Sequence, residues 1–167
     1  MTTPATRTRR PAAPSRPINR PAVVMGLGLG GFVGGIALHQ ILQWHHMVSD
    51  TDGNPVTTVE GLNANTLADG LFHAVTWLLV LAATLGMVAL WRSGRTAPPW
   101  RSTVGLLLVG WGLFNLVEGV VDHMLLGVHH VRDDLGGPLS WDIGFLVLGA
   151  LLVAGGAAMH RSARPGS

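Results

Sequence analysis

Gly34-Gly-Ile-Ala-Leu-His39-Gln-Ile-Leu-Gln43-Trp-His45-His46-Met47 begins as an apolar helix and closes on three histidines and two glutamines. Much of it returns as Glu118-Gly-Val-Val-Asp122-His123-Met-Leu-Leu-Gly-Val-His129-His130. Each copy carries a histidine, five intervening residues and a histidine pair, and each first histidine stands four residues after a glycine, Gly35 or Gly119. An apolar helix that ends in a duplicated polar string sets the reading of the whole chain.

Around these copies the composition is that of a membrane protein. Of 167 residues, 48% are hydrophobic and 12% charged, a balance in which long apolar helices dominate. Four spans follow from the pattern, about residues 22–47, 66–91, 102–128 and 141–160, each long enough at about 1.5 Å per residue to cross a ~30 Å hydrocarbon core. Lipid offers no partner to backbone polar groups, so the spans are read as helices. The expected fold is all-α: a four-transmembrane-helix bundle of two tandem hairpins, related by a pseudo-two-fold axis along the membrane normal. Ala68-Asp69-Gly-Leu-Phe72 set against Trp141-Asp142-Ile-Gly-Phe145 extends the repeat to the second and fourth spans, with Leu146 in the place of His73.

Residues 1–21 are rich in Pro, Thr, Ala and Arg without apolar periodicity and read as a disordered cytoplasmic tail. The apolar run behind it is too long for a signal peptide. Residues 161–167 form a second tail. Ten of the eleven arginines lie in the tails or between the second and third spans, and only Arg132 lies on the other side. That bias predicts a multi-pass protein of a bacterial cytoplasmic (inner) membrane with both termini cytoplasmic. The arginines mark topology rather than a phosphate-binding patch, so nucleic acid is not an expected partner. The chain has no cysteine, which excludes disulfides, thiolate metal ligands and thiol catalysis. Gly26, Gly30 and Gly34, with Gly31 and Gly35, have the spacing that lets helix backbones approach, within the chain or in a homo-oligomer.

Counted from the span ends, His39, Gln43, Asp69, His73, Asn115, Glu118, Asp122, His123 and Asp142 collect in one layer toward the outer face, roughly 24–27 Å from the cytoplasmic interface. On a straight helix Gly35, His39, Gln43 and His46 share one stripe. Ionisable side chains at such depth are expensive and mark function. Imidazoles and carboxylates on facing helices suit a transition metal such as copper, iron or zinc. The metal ligands expected are His39, His73, Glu118, Asp122 and His123. The supporting or additional set is His45, His46, Asp69, His129, His130 and Asp142, with Asp69 and Asp142 orienting ligand rings. Haem on His39 and His123 fits the many carboxylates less well. The function expected is redox chemistry or metal handling linked to respiration, and no residue is assigned a catalytic role. Two alternatives use the same residues: a proton or ion pathway, for which the lower halves of the spans offer Thr84 and little else, and a structural subunit of a membrane complex.

The strings Gly30-Gly-Phe-Val-Gly-Gly-Ile-Ala-Leu-His39-Gln-Ile-Leu-Gln-Trp-His-His-Met47, Ala68-Asp-Gly-Leu-Phe-His73, Phe114-Asn-Leu-Val-Glu-Gly119, Asp122-His123, His129-His-Val131 and Trp141-Asp142 resemble the bacterial family called domain of unknown function 2243. The resemblance covers all four spans. It implies a four-span inner-membrane protein without an assigned activity. Members of the family look to be encoded near cytochrome-oxidase assembly proteins, which favours copper or respiratory chemistry and respiratory-complex assembly partners. The family pattern often has Asp at position 34; here Gly34 stands there, and its repeat mate is Glu118.

Overall fold

The computed structural model describes residues 19–163. The expected N-terminal tail with Arg7, Arg9, Arg10 and Arg16, and the C-terminal residues with Arg164, lie outside the described residues. Four helices, α1 (Arg20–Gly34), α2 (Val59–Arg92), α3 (Trp100–Glu118) and α4 (Leu139–Ser162), form the fold, and no strand is present among the described residues. With the π-helical segments that continue α1 (Gly35–Ile41) and α3 (Gly119–Leu126), all four are long and apolar enough to cross a membrane.

Local chemistry sets the ends. Pro21 sits in the first turn of α1, where its missing N–H leaves no bond unmade. Thr58 caps α2, its hydroxyl accepting from Gly61 N at 3.1 Å. The helix therefore starts well before the expected Thr66. Buried Asn65 then ties it to the loop: it accepts from Val48 N (3.0 Å) and donates to Asn54 O (2.8 Å).

The first span stops at Ile41 rather than continuing to Met47. A wider turn opens the helix, with Leu42 N donating to Ala37 O at 2.9 Å, and Gln43 at φ 51° then turns the chain out of it. The third span ends the same way at Leu126, with Gly127 at φ 58°. Trp44 N bonds to Leu38 O after one turn-out, and Val128 N to Asp122 O after the other. The straight-helix stripe through His46 is thus broken, and the histidine pairs swing back over the helix ends.

The helices stand in a row, α2–α1–α3–α4: α1 packs on α2 and α3, α3 packs on α4, and α2 and α4 do not meet. Glycine faces explain the order. An added Cβ at Gly26 would lie 3.0 Å from Gly110 Cα, and one at Gly110 would lie 2.9 Å from Gly26 Cα. Across the α3–α4 seam, Gly105 and Gly156 face each other's carbonyls at 2.6 and 2.5 Å from the same built position. Backbones this close gain dispersion contact that larger side chains would prevent. The outer helices expose Leu71, Leu78 and Leu85 on α2 and Val147 and Leu151 on α4. That surface is compatible with lipid and not with water.

A candidate metal centre under the crossed loops

The loop after α1 and the loop after α3 cross over the end of the helix row and hold each other. His45 Nδ1 donates to Val131 O (3.0 Å), and His129 Nδ1 donates to Met47 O (3.1 Å). Asp50 N bonds to Val128 O (3.0 Å) and Asp134 N to Trp44 O (3.2 Å). Ser49 caps His46 N, Asp133 caps His130 N, and the Ser49 hydroxyl donates to Asp133. The Ser49–Asp133 bond joins equivalent positions, and each of the other bonds has its counterpart in the other half at the same numbering offset. The duplicated spacing in the sequence is therefore matched by duplicated contacts.

Two buried aspartates anchor the loops. Asp69 on α2 accepts from His39 Nδ1 (2.9 Å), His46 Nδ1 (2.6 Å), Met47 N (2.9 Å) and Gln40 Nε2 (3.1 Å). Asp142 on α4 accepts from His130 Nδ1 (2.8 Å) and Val131 N (2.9 Å), with His123 Nδ1 at 3.2 Å. Carboxylates so placed fix the tautomers of His39, His46 and His130 and leave their Nε2 as the outward atom, whereas the His123 Nδ1 makes no hydrogen bond and its ring bonds to Glu118 through Nε2.

Glu118 stands at the centre, at the last turn of α3. Its Oε1 lies 3.2 Å from His123 Nε2 and 3.2 Å from His129 Nε2. One ligand atom each from His45, Glu118 and His129 lies within 4.8 Å of the others. The His45 and His129 rings stack at 4.6 Å and 6°, and His39 packs edge-on to His45 at 4.5 Å. Two atoms of this group are buried without a hydrogen-bond partner: His45 Nε2 and Glu118 Oε2.

The two loop histidines titrate in opposite directions. Burial, reinforced by His129 and His39, lowers His45 to about 3. Burial also pushes His129 down, but the hydrogen bond and charge of Glu118 outweigh it and raise its pKa. With Nδ1–H committed to Val131 O, His45 Nε2 presents a lone pair, the form a metal takes.

Of the five ligands expected from sequence, Glu118 is the one that falls within the convergent trio. His39 and His123 flank it. His73 does not reach it: its Nε2 is buried against Gly35, where an added Cβ would come to 2.6 Å. Asp122 is half-buried one helical turn beyond Glu118. His45 and His129 supply the other two convergent nitrogens. A straight helix carries both to headgroup level, and only the repeated spacing pointed to them.

Outside the cluster, Arg132 lies over the rings of Trp44 (4.4 Å) and Trp141 (5.1 Å) and forms a two-bond pair with Asp134, 2.8 Å for each bond. A polar cleft of about 730 Å³, lined in part by His45, His46, Asp50 and His130, opens beside this clamp. A second cavity of about 500 Å³, mostly apolar, reaches His39, His45 and Glu118 from between α1 and α4.

Four apolar helices and a buried histidine–carboxylate layer define an integral membrane protein. The chain belongs to the family described as predicted membrane protein (DUF2243), whose model matches residues 21–163. No curated protein and no solved structure matches it.

Proposed function

We propose that the protein holds one first-row transition-metal ion on His45, Glu118 and His129, in redox chemistry or metal handling. One observation carries the reading: three buried ligand atoms from two loops and a helix converge within 4.8 Å, with His45 Nε2 and Glu118 Oε2 left unpartnered. Buried polar atoms without partners are costly, and a cation resolves both. Two imidazoles and one carboxylate suit zinc, iron or copper and leave a coordination position open. Imidazole lone pairs lie in the ring planes, and the His45 and His129 planes are 6° from parallel, so a shared ion would tilt the two rings toward each other. When bound, the ion would supply Lewis-acid or one-electron chemistry. Asp69 and Asp142 would fix the surrounding rings.

A second reading has a specific observation in its favour. Exposed Asp50, His130, Asp142, His123 and Glu118 form a chain with successive separations of 3.6, 2.8, 3.2 and 3.2 Å. Such a chain would carry protons between the outer cleft and the buried carboxylate once the His123 ring turns to bond Asp142, because its Nδ1 makes no hydrogen bond here. The arginine bias supports the orientation in a bacterial inner membrane, with the cluster outside and the chain termini in the cytoplasm.

The test is elemental analysis of the detergent-purified full chain, before and after reconstitution with zinc, copper(II) and iron(II). One ion per chain is expected in wild type, lost in His45→Ala and in His129→Ala and kept in His160→Ala. His160 bonds to Ser102 (2.7 Å) at the opposite end of the helices. Equal metal in all four proteins, or none in wild type after reconstitution, would refute the centre.

A further inference from the structure

The apolar cavity between α1 and α4 is not needed to hold a metal. Its walls are Val33 and Gly34 of α1, Trp111 and Phe114 of α3, and Gly144 and Leu148 of α4. The helices α1 and α4 do not touch, so the space between them faces the surrounding lipid, with α3 as its floor. Along α4 it runs from Ser140 to Leu148, about 12 Å at 1.5 Å per residue. Its volume is in the range of small-molecule sites, which are typically about 300–1,000 Å³.

Three features say what would fill it. Nothing lies within 4 Å of a Cβ built on Gly34 or on Gly144, so both walls are open where a side chain would fit. Aromatic rings, among them Trp111, Phe114, Trp141 and Phe145, line the space, which favours a flat ring over a saturated chain. The polar end offers acceptors. Glu118 Oε1 already faces two imidazoles, leaving the buried Oε2 unpartnered, and His45 Nε2 is a lone pair. An acyl chain brings no donor to these atoms, and a fatty acid brings a like charge to Glu118. A lipophilic aromatic diol brings both a ring and O–H donors.

We infer that this cavity is a lateral, lipid-side binding site for a quinol-class molecule, its ring between α1 and α4 and one hydroxyl donating to Glu118. The hydroxyl uses Glu118 Oε2, the atom a bound ion would also take, so the site is that of the metal-free protein and does not rest on the metal reading. The relay from Glu118 to Asp50 starts at Oε1 of the same carboxylate whose Oε2 would accept this hydrogen bond.

The experiment uses the full chain in lipid nanodiscs and a tritium-labelled decyl benzoquinol. The same molecule as its dimethyl ether serves as the donor-free control. Saturable binding of one quinol per chain is expected. The ether should bind about tenfold or more weakly, because it leaves the buried acceptor unpaired. Gly34→Phe and Gly144→Phe fill the space from opposite walls, and each should abolish saturable binding. Should one fail to give a monodisperse protein, the other decides. Unsaturable quinol binding, equal affinity for the ether, or wild-type affinity in a folded Phe variant would overturn the site. The quinol assay uses chelator-treated protein, and metal uptake is measured separately after reconstitution, so the two readings fail independently. Quinol binding in this pattern without metal uptake leaves the cavity and removes the centre; stoichiometric metal uptake without quinol binding by the chelated protein does the reverse.

Discussion

His45 and His129 stack face to face, 4.6 Å apart and 6° from parallel, each donating Nδ1–H to a carbonyl of the loop that carries the other. Neither ring can be placed without the opposite loop. The centre therefore forms only when the two halves have docked, and taking a shared ion would then need the two rings to tilt out of their stack.

The opposed titrations of these rings predict proton release. Near pH 7 His45 is already neutral, while the hydrogen bond and charge of Glu118 favour the protonated form of His129. A metal needs both rings neutral, so binding expels the His129 proton. Affinity should rise about tenfold per pH unit until pH passes the raised pKa of His129, and level off above it. Calorimetric titration in buffers of different ionisation enthalpy should give about one proton released per ion. Release of none would show that His129 is neutral before binding.

Without metal the same groups give stability an optimum. His129, raised in the folded chain, stabilises it below the ordinary 6.5, and that contribution is lost as pH rises through its folded value. His45, lowered to about 3, stabilises it above 6.5, and that contribution is lost as pH falls from 6.5 toward 3. Thermal unfolding of chelator-treated protein should therefore peak around pH 6.5 and weaken on both sides. Metal should remove the loss on the alkaline side, where His129 is deprotonated in either state. A flat profile in the chelated protein would contradict both assignments.

Asp69 and Asp142 separate support from ligation. Each holds a flanking histidine and the start of the crossed loop. Asp69→Asn or Asp142→Asn should weaken metal binding by about 10- to 100-fold without abolishing it. His39→Ala and His123→Ala remove rings that flank the trio and should also lower metal occupancy. Competition against a calibrated chelator distinguishes weakened from absent binding. Unchanged affinity in the aspartate variants would detach them from the centre.

Much of this was legible in the sequence. Apolar run lengths determine the four helices, because lipid leaves the backbone no other arrangement. Asp69, Glu118, His39, His123 and Asp142 fall in one layer because depth scales with residue count. What residue counting could not reach is the turn-out after Ile41 and after Leu126. A π turn and a left-handed residue, Gln43 or Gly127, break the helix period, and Gln gives no signal for such a conformation. Counting along straight helices therefore places His45 and His129 further out than the turned-back loops do, and the His73 ring packs on Gly35 with its centroid 6.4 Å from that of His39. The row of helices follows from glycine pairs whose partners lie far apart in the chain, which a single sequence does not specify.

The glycine seams predict where the membrane domain breaks. Gly26→Leu and Gly110→Leu place a side chain against the backbone of the opposing central helix, so α1 and α3 must separate. Overpacking of this kind costs about 1–3 kcal/mol where side chains can yield, and rigid backbone yields less. Gly34→Leu points into open space and should be tolerated. Thermal stability followed by fluorescence-detected gel filtration should fall sharply for the first two and hold within a few degrees for the third. Similar behaviour of all three would dismiss the seam.

Orientation can be tested in the cysteine-free chain itself. Arg92 ends α2, Arg95 lies in the connection and Arg101 stands in the first turn of α3, whereas the crossed loops carry Arg132, already paired with Asp134. Basic residues are retained on the cytoplasmic side, so the α2–α3 connection should be cytoplasmic and the metal-centre loops external. Thr57, exposed just before α2, and Thr96, exposed between α2 and α3, mark the two sides. In intact cells a membrane-impermeant maleimide should label Thr57→Cys and spare Thr96→Cys, and after lysis it should label both. The reverse pattern would place the histidine cluster next to the cytoplasm. Metal and protons would then reach Asp50 and His130 from inside the cell.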